Sequence, residues 1–292
     1  MPSGLSEALA DLGRFLDAVG PYVDDLVLIG GWTPYFYRFL PDLRRPDHEP
    51  ILTKDFDLVS PGSLPERGTG TLDERLRAAG FVVHESRDPV VLRYQDRRFG
   101  ARDLAPIHFE FLTTLTGPAR GRRGQARQTR DVKRGLPAQA LRYLDLLRHE
   151  PLIVRTAEVP GLRRNVGVDL RIPNPAAYVF QKALVHEERD EKAAKDLAYV
   201  YDVALLWSGK ENEVLEMSRS LAAESATWAT WLGRARRTLD GLFIAETSDG
   251  PVAIEREMRA ASVARGISSG NAFRLVRPFL EGALGLAPGR VR

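Results

Sequence analysis

The heptapeptide Thr53-Lys54-Asp55-Phe56-Asp57-Leu58-Val59 alternates between polar and apolar side chains. Alternation over this length predicts a half-buried strand. Side chains two apart on a strand share a face, so Asp55 and Asp57 point together while Phe56 and Leu58 point into a core. Two carboxylates on one face repel unless a positive charge lies between them. Magnesium meets that need with hard oxygen ligands and retained waters that leave room for phosphates. A solvated strand edge facing lysines and arginines fits the same pattern.

Two neighbouring stretches extend the motif. Upstream, Asp25-Leu-Val-Leu-Ile-Gly-Gly31 is a short apolar run ending in two glycines, the pattern of a buried strand feeding a turn. Thr33-Pro34 follows as an N-cap and a proline at the first helical position, opening a short helix over Tyr35 to Leu40. Glycines let backbone approach a ligand closely, and a helix N-terminus favours anions, although most Gly-Gly pairs are simple turns. Downstream, Ile107 to Thr113 reads as a strand in which Phe109-Glu110-Phe111 buries two aromatics and sends Glu110 to the other face. If this strand lies beside the first, Glu110 joins Asp55 and Asp57; an ordinary alternating strand is the other reading.

A glycine turn, an acid-x-acid strand and a lone acid on a later strand, in that order, resemble the nucleotidyltransferase superfamily of the DNA polymerase β type. The resemblance implies that Gly30 and Gly31 hold a nucleoside triphosphate such as ATP. It implies that Asp55 and Asp57 bind two magnesium ions, with manganese as a substitute. Glu110 would complete the metal site and help activate the attacking hydroxyl. The family often carries serine where Gly31 stands, and the spacing from Gly31 to Asp55 is longer than in most members, with Pro41 to Thr53 looking like an insertion.

The remaining pattern separates two halves. Leu5 to Val19 has helical spacing, and Thr71 to Ala79 is a helix closed by Gly80. Pro41 to Pro50 and Pro61 to Gly70 read as loops. Phe81–His84 and Val90–Tyr94 read as a hairpin, Leu136 to Leu147 as a helix, and Leu152 to Thr156 and Val166 to Ile172 as strands. Beyond Asn174 the strand signals fade. Pro175 to Leu206 reads as one long helix, and helices continue with breaks near Gly209, Gly241, Gly250 and Gly270. The expected fold class is α+β: a nucleotidyltransferase-like mixed sheet with flanking helices over residues 1–172, then an all-helical domain over 173–292.

On the long helix, Lys182, Arg189 and Asp196 are spaced by seven and form one stripe, with a drift of only about 20° per heptad. It borders the apolar face set by Val179, Ala183, Leu197 and Tyr201, a place that suits a cleft between the halves. A plain surface face fits as well. Arg189 and Asp196 are too far apart for an i, i+4 bridge. Pro175 to Lys182, with Lys195-Asp196-Leu197, resembles the AbiEii-like bacterial branch of the superfamily, which includes toxins of toxin–antitoxin systems. That resemblance spans roughly residues 25–206. It implies that Lys182 is catalytic and neutralises the triphosphate, that Arg189 and Asp196 belong to the nucleotide site, and that an antitoxin protein is a candidate partner; Thr33, at the start of the helix after the glycine turn, is a further candidate for that site. The acid often found three residues after Asp196 is replaced by Tyr199.

Composition bounds the alternatives. The chain has 292 residues, 43% hydrophobic and 28% charged, an ordinary globular balance. It has no cysteine, which excludes disulfides, thiolate zinc sites and cysteine nucleophiles. The five histidines, His48, His84, His108, His149 and His186, show no ligand spacing, and there is no G-x-x-x-x-G-K-[ST] loop and no G-x-S-x-G elbow. His108 lies beside the acid strand as a core or rim residue. Trp228 and Trp231, at i, i+3 in a helical region, read as packing residues. No apolar run reaches the roughly 20 residues that span a bilayer, and Met1 to Leu16 lacks a basic, then apolar, leader pattern. The expected compartment is the cytoplasm.

The net charge of +3 is local. Arg120, Arg122, Arg123, Arg127, Arg130, Lys133 and Arg134 stand against Asp131 alone, so Pro118 to Arg134 carries +6 and the other residues sum to −3. Read as a loop or mobile flap, this segment is the candidate contact for an RNA phosphate backbone; a solvated loop is the alternative. The expected activity is magnesium-dependent transfer of a nucleoside monophosphate to an acceptor hydroxyl, RNA and in particular a tRNA 3′ end, in a toxin or defence role. Two alternatives stand beside it: transfer to a protein side chain or small molecule, and an idle module that binds nucleic acid or a partner.

Overall fold

Leu5, Leu9, Leu12, Phe15, Leu16 and Val19 recur at helical spacing, and they form the buried stripe of the first helix, α1 (Ser3–Val19). The computed structural model describes residues 3–46, 50–67, 71–87, 90–96, 107–117, 129–133, 135–162, 169–186, 188, 192–260 and 266–287. The chain groups into two units, Met1–Thr33 with Thr53–Pro173, and Pro34–Leu52 with Asn174–Arg292. The segment read as an insertion therefore belongs mostly with the helices and not with the strands that flank it.

The first unit is built on a mixed sheet. Its strands are β1 (Val27–Ile29), β2 (Asp55–Val59), β3 (Phe81–Arg87), β4 (Val90–Asp96), β5 (His108–Thr114), β6 (Thr129–Lys133) and β7 (Leu136–Leu141), and its main order is β1-β2-β5-β4-β3. β2 and β5 run parallel; β1–β2, β4–β5 and the β3–β4 hairpin are antiparallel. One edge of β5 faces β2 from His108 to Leu112. The opposite edge is shared, with β4 opposite His108 to Glu110 and β7 opposite Leu112 to Thr114. A small antiparallel pair, β8 (Leu152–Val154) and β9 (Leu170–Ile172), lies in the same unit.

One face of the sheet is aromatic. Phe109 stacks on Phe15 of α1 at 4.2 Å and on Phe56 at 5.1 Å, and Phe56 stacks on Trp32 at 4.2 Å. Each such ring, fully buried, is worth about 1.5–3 kcal/mol of transfer free energy. α3 (Leu72–Ala78) begins at a capping box in which the Thr71 hydroxyl accepts from Glu74 N–H and the Glu74 carboxylate accepts from Thr71 N–H. The Arg75 side chain of α3 donates to the Ala18 carbonyl of α1 at 3.0 Å, joining the two covering helices. With the aromatics committed to this face, period-two alternation sends the acids to the other.

Three expectations need correction. Leu136 to Leu147 is not a helix: Leu136–Leu141 is β7, followed by turns and a short 3-10 helix over Leu146–Arg148. Its leucines and alanines favour a helix locally. However, burial alternates along the segment, and pairing with β5 and β6 overrides the propensity. Part of the basic segment is strand rather than loop, since Thr129–Lys133 forms β6. The long helix over Pro175 to Leu206 is two helices, α4 (Pro175–His186) and α5 (Ala193–Leu206).

The second unit is helical, with α2 (Thr33–Tyr37) at the chain crossing, α4, α5, α6 (Glu211–Glu224), α7 (Ala226–Leu242), α8 (Asp249–Ala260) and α9 (Ser269–Leu284). α4 is buried from Pro175 through Val185, which makes it the unit's central element. The Asn174 side chain starts it by accepting the Ala177 N–H at 2.8 Å. The segment before β2 is fixed here too: Asp202 of α5 accepts the Ile51 N–H at 3.4 Å, and the Tyr37 ring lies edge-on to Tyr178 and Trp207. Among the described residues, no helix is long and apolar enough to cross a membrane.

Candidate active site

The strand registers place the acids. Parallel pairing sets Asp57 opposite Glu110 and Asp55 opposite His108. Register partners share a face, so Asp55, Asp57 and Glu110 lie on one side of adjacent strands, opposite the aromatic core. Asp55 and Asp57 are half-buried, whereas Glu110 is 8% exposed. The row through Asp57 continues across the sheet as Ile29, Asp57, Glu110, Arg93 and His84. The neighbouring row holds Asp55, His108 and Gln95.

The glycine turn abuts this row. Gly30 has φ +77, a conformation that disfavours any side chain. A Cβ there would lie 2.6 Å from the Asp57 carboxylate. A side chain at position 30 would therefore displace the Asp57 carboxylate. Gly30→Ala is expected to cost about 1–3 kcal/mol from backbone strain, and to lower nucleotidyl transfer more than stability because Asp57 must move. Thermal unfolding and a transfer assay on the same preparation check both parts.

The turn itself differs from the expectation. Gly30–Trp32 forms a 3-10 helix that runs directly into α2, and Thr33 has helical dihedrals of −56° and −50°. Thr33 is therefore not an N-cap, which needs an extended conformation. Its hydroxyl is fully buried and, among the described residues, makes no hydrogen bond. Trp32 donates to the Thr53 carbonyl at 3.1 Å, and the Thr53 hydroxyl donates to the Asp55 carbonyl at 3.0 Å, so turn and acid strand are tied together.

A family model described as Nucleotidyltransferase covers residues 7–222, well over half of the chain. The chain belongs to this nucleotidyltransferase family. The match runs from within α1, through every strand, to within α6. No curated protein matches the chain. The enzyme's chemistry is thus transfer of a nucleotidyl group, with a nucleoside triphosphate as substrate.

The electrostatics add Arg93, which the sequence reading did not single out. Arg93 donates to the Glu110 carboxylate at 2.6 Å; its own side chain is 48% exposed while that of Glu110 is 10% exposed. His84 and His108 meet ring to ring at 6.2 Å. Burial pushes the His108 imidazole below its ordinary pKa against the opposing pull of Asp55, and Arg93, His84 and Glu110 contribute less. The signal for Arg93 was present in the alternation of Arg93, Tyr94 and Gln95, but only the strand order shows that it faces Glu110.

Among the described residues, no three His, Asp or Glu side chains are arranged to hold a metal ion. The shared face nonetheless offers carboxylate oxygens, the hard donors that magnesium takes, and the Asp57 carboxylate lies close to Gly30. In this arrangement the Glu110 carboxylate is held by Arg93.

In the helical unit, Lys182 and Asp196 are 6% and 3% exposed. They pair directly at 2.6 Å across the break between α4 and α5. The Lys182 ammonium also lies 5.4 Å from the Tyr178 ring and 5.3 Å from the Tyr199 ring. The stripe expected from heptad spacing is replaced by this pair, because two helices can bring together residues that one straight helix keeps apart. Arg189 lies outside the described residues, as do Arg120, Arg122, Arg123, Arg127 and Arg134. Arg130 is exposed on β6. Lys133 turns inward instead, donating to the Tyr22 hydroxyl at 2.7 Å, the Pro65 carbonyl at 2.9 Å and Glu66 at 3.2 Å. It anchors the end of the basic segment.

Proposed function

We propose that the protein is a magnesium-dependent nucleotidyltransferase that moves a nucleoside monophosphate from a triphosphate to a hydroxyl of RNA, with a tRNA 3′ end as the leading acceptor. The observation that carries this reading is the Asp57–Glu110 register, with Gly30 packed against Asp57. Asp55, Asp57 and Glu110 would hold the metal. Bound magnesium would favour the ionised acceptor hydroxyl and offset the charge of the departing pyrophosphate. The Gly30-Gly31 turn would let backbone approach the triphosphate, and the buried Thr33 hydroxyl is a candidate donor to it. Lys182, paired with Asp196, is the proposed cation for the triphosphate, and Arg189 belongs to the same set. The hydroxyl oxygen attacks the α-phosphorus, the bond to the β-phosphate oxygen breaks, and pyrophosphate leaves.

The AbiEii-like pattern around Lys182 and Asp196 supports a toxin or defence role with an antitoxin partner. Incubation with magnesium, each labelled nucleoside triphosphate and total RNA tests the reading. Label in RNA supports it. Label on protein instead moves the acceptor to a side chain. Tight RNA binding with no label in any acceptor would point to an idle binding module. Neutralising Arg120, Arg122, Arg123 and Arg127 together should weaken RNA binding and flatten the salt dependence by up to about three logarithmic units per decade of salt. An unchanged slope would remove the basic segment from the interface.

A further inference from the structure

We propose that Arg93 competes with the divalent cation for Glu110, so that the metal loads fully only when this guanidinium lets go. The proposal rests on the reading that Asp55, Asp57 and Glu110 hold that cation. Glu110 is the most buried of the three acids and lies between Asp57 on β2 and Arg93 on β4. A nearly buried carboxylate needs a positive partner, and here Arg93 supplies it at 2.6 Å. Arg93 takes Oε1 of Glu110, so while it stays the carboxylate offers a cation mainly its other oxygen and cannot chelate with both. Arg93 has room to leave, since its side chain is about half exposed and grows from a neighbouring strand rather than from β5 itself. On its other side stands His84, which shares the row and offers no carboxylate to receive it. The released guanidinium faces solvent on the acid side of the sheet, where an anionic substrate would meet it.

Arg93 is thus a positioning residue that acts through Glu110. Metal binding to the full chain, measured with manganese alone, tests this without any turnover. Arg93→Gln is expected to tighten manganese binding about tenfold, or roughly 1.4 kcal/mol. A merely structural arginine would do the reverse, since its loss would loosen the site. The gain should disappear when Arg93→Gln is made in a Glu110→Gln background. A gain that persists there would be a general field effect and would overturn the proposal. Unchanged or weaker binding in Arg93→Gln, with binding abolished by Asp57→Asn, would overturn it while leaving the metal reading intact. Absence of manganese binding in both the wild type and Arg93→Gln would overturn the two together.

Discussion

Asp57→Ala should reduce nucleotidyl transfer by about a thousandfold or more, the scale set by removing a preorganised group that stabilises transition-state charge. Asp57 lies centrally among the polar residues of its face: Gly30 packs against its carboxylate, and Glu110 stands opposite it in register. Stability should change far less than transfer, because Asp57 is only half-buried on the polar face of its strand. Transfer measured with saturating magnesium and labelled triphosphate, beside a thermal unfolding curve, checks both statements. Activity within tenfold of wild type would mean that the carboxylate row is not the reacting centre.

The second large effect concerns stability. Lys182→Met removes the 2.6 Å ion pair to the buried Asp196 carboxylate. Breaking a buried pair from one side costs about 3–5 kcal/mol, which at roughly 2–4 °C per kcal/mol lowers the unfolding midpoint by roughly 6–20 °C. Lys182→Met combined with Asp196→Leu should recover most of that loss, because a buried pair replaced by apolar groups is often neutral. The double variant then isolates the chemistry. It is expected to fold and to have lost transfer, as the proposed triphosphate role of Lys182 requires. A folded and active double variant would make the pair purely structural.

The acid-bearing strands were legible because their signal is local. Phe56 and Leu58, and Phe109 and Phe111, declare a buried face, and alternation then assigns Asp55, Asp57 and Glu110 to the opposite one. That β2 and β5 are neighbours followed only from the resemblance, since no local pattern states a strand order. The same gap hid Arg93, whose significance depends on which strand lies next to β4. Leu136–Leu141 was misread because helix-favouring residues can occupy a strand when both edges are paired. The Lys182–Asp196 contact was missed for the opposite reason: heptad spacing assumes an unbroken helix, and the chain breaks between α4 and α5.

The excursion of residues 34–52 into the helical unit has a consequence for biosynthesis. Ile51 and its partner Asp202 are separated by 151 positions along the chain. At about 5–20 residues per second, the ribosome delivers the second roughly 8–30 s after the first. During that interval the segment leading into β2 has emerged without the residues that hold it, and the polypeptide leaves and re-enters the sheet-bearing unit before its outer connection can close. A nascent fragment ending near Pro173 would contain the three acids and still lack the far anchor of the strand that carries two of them.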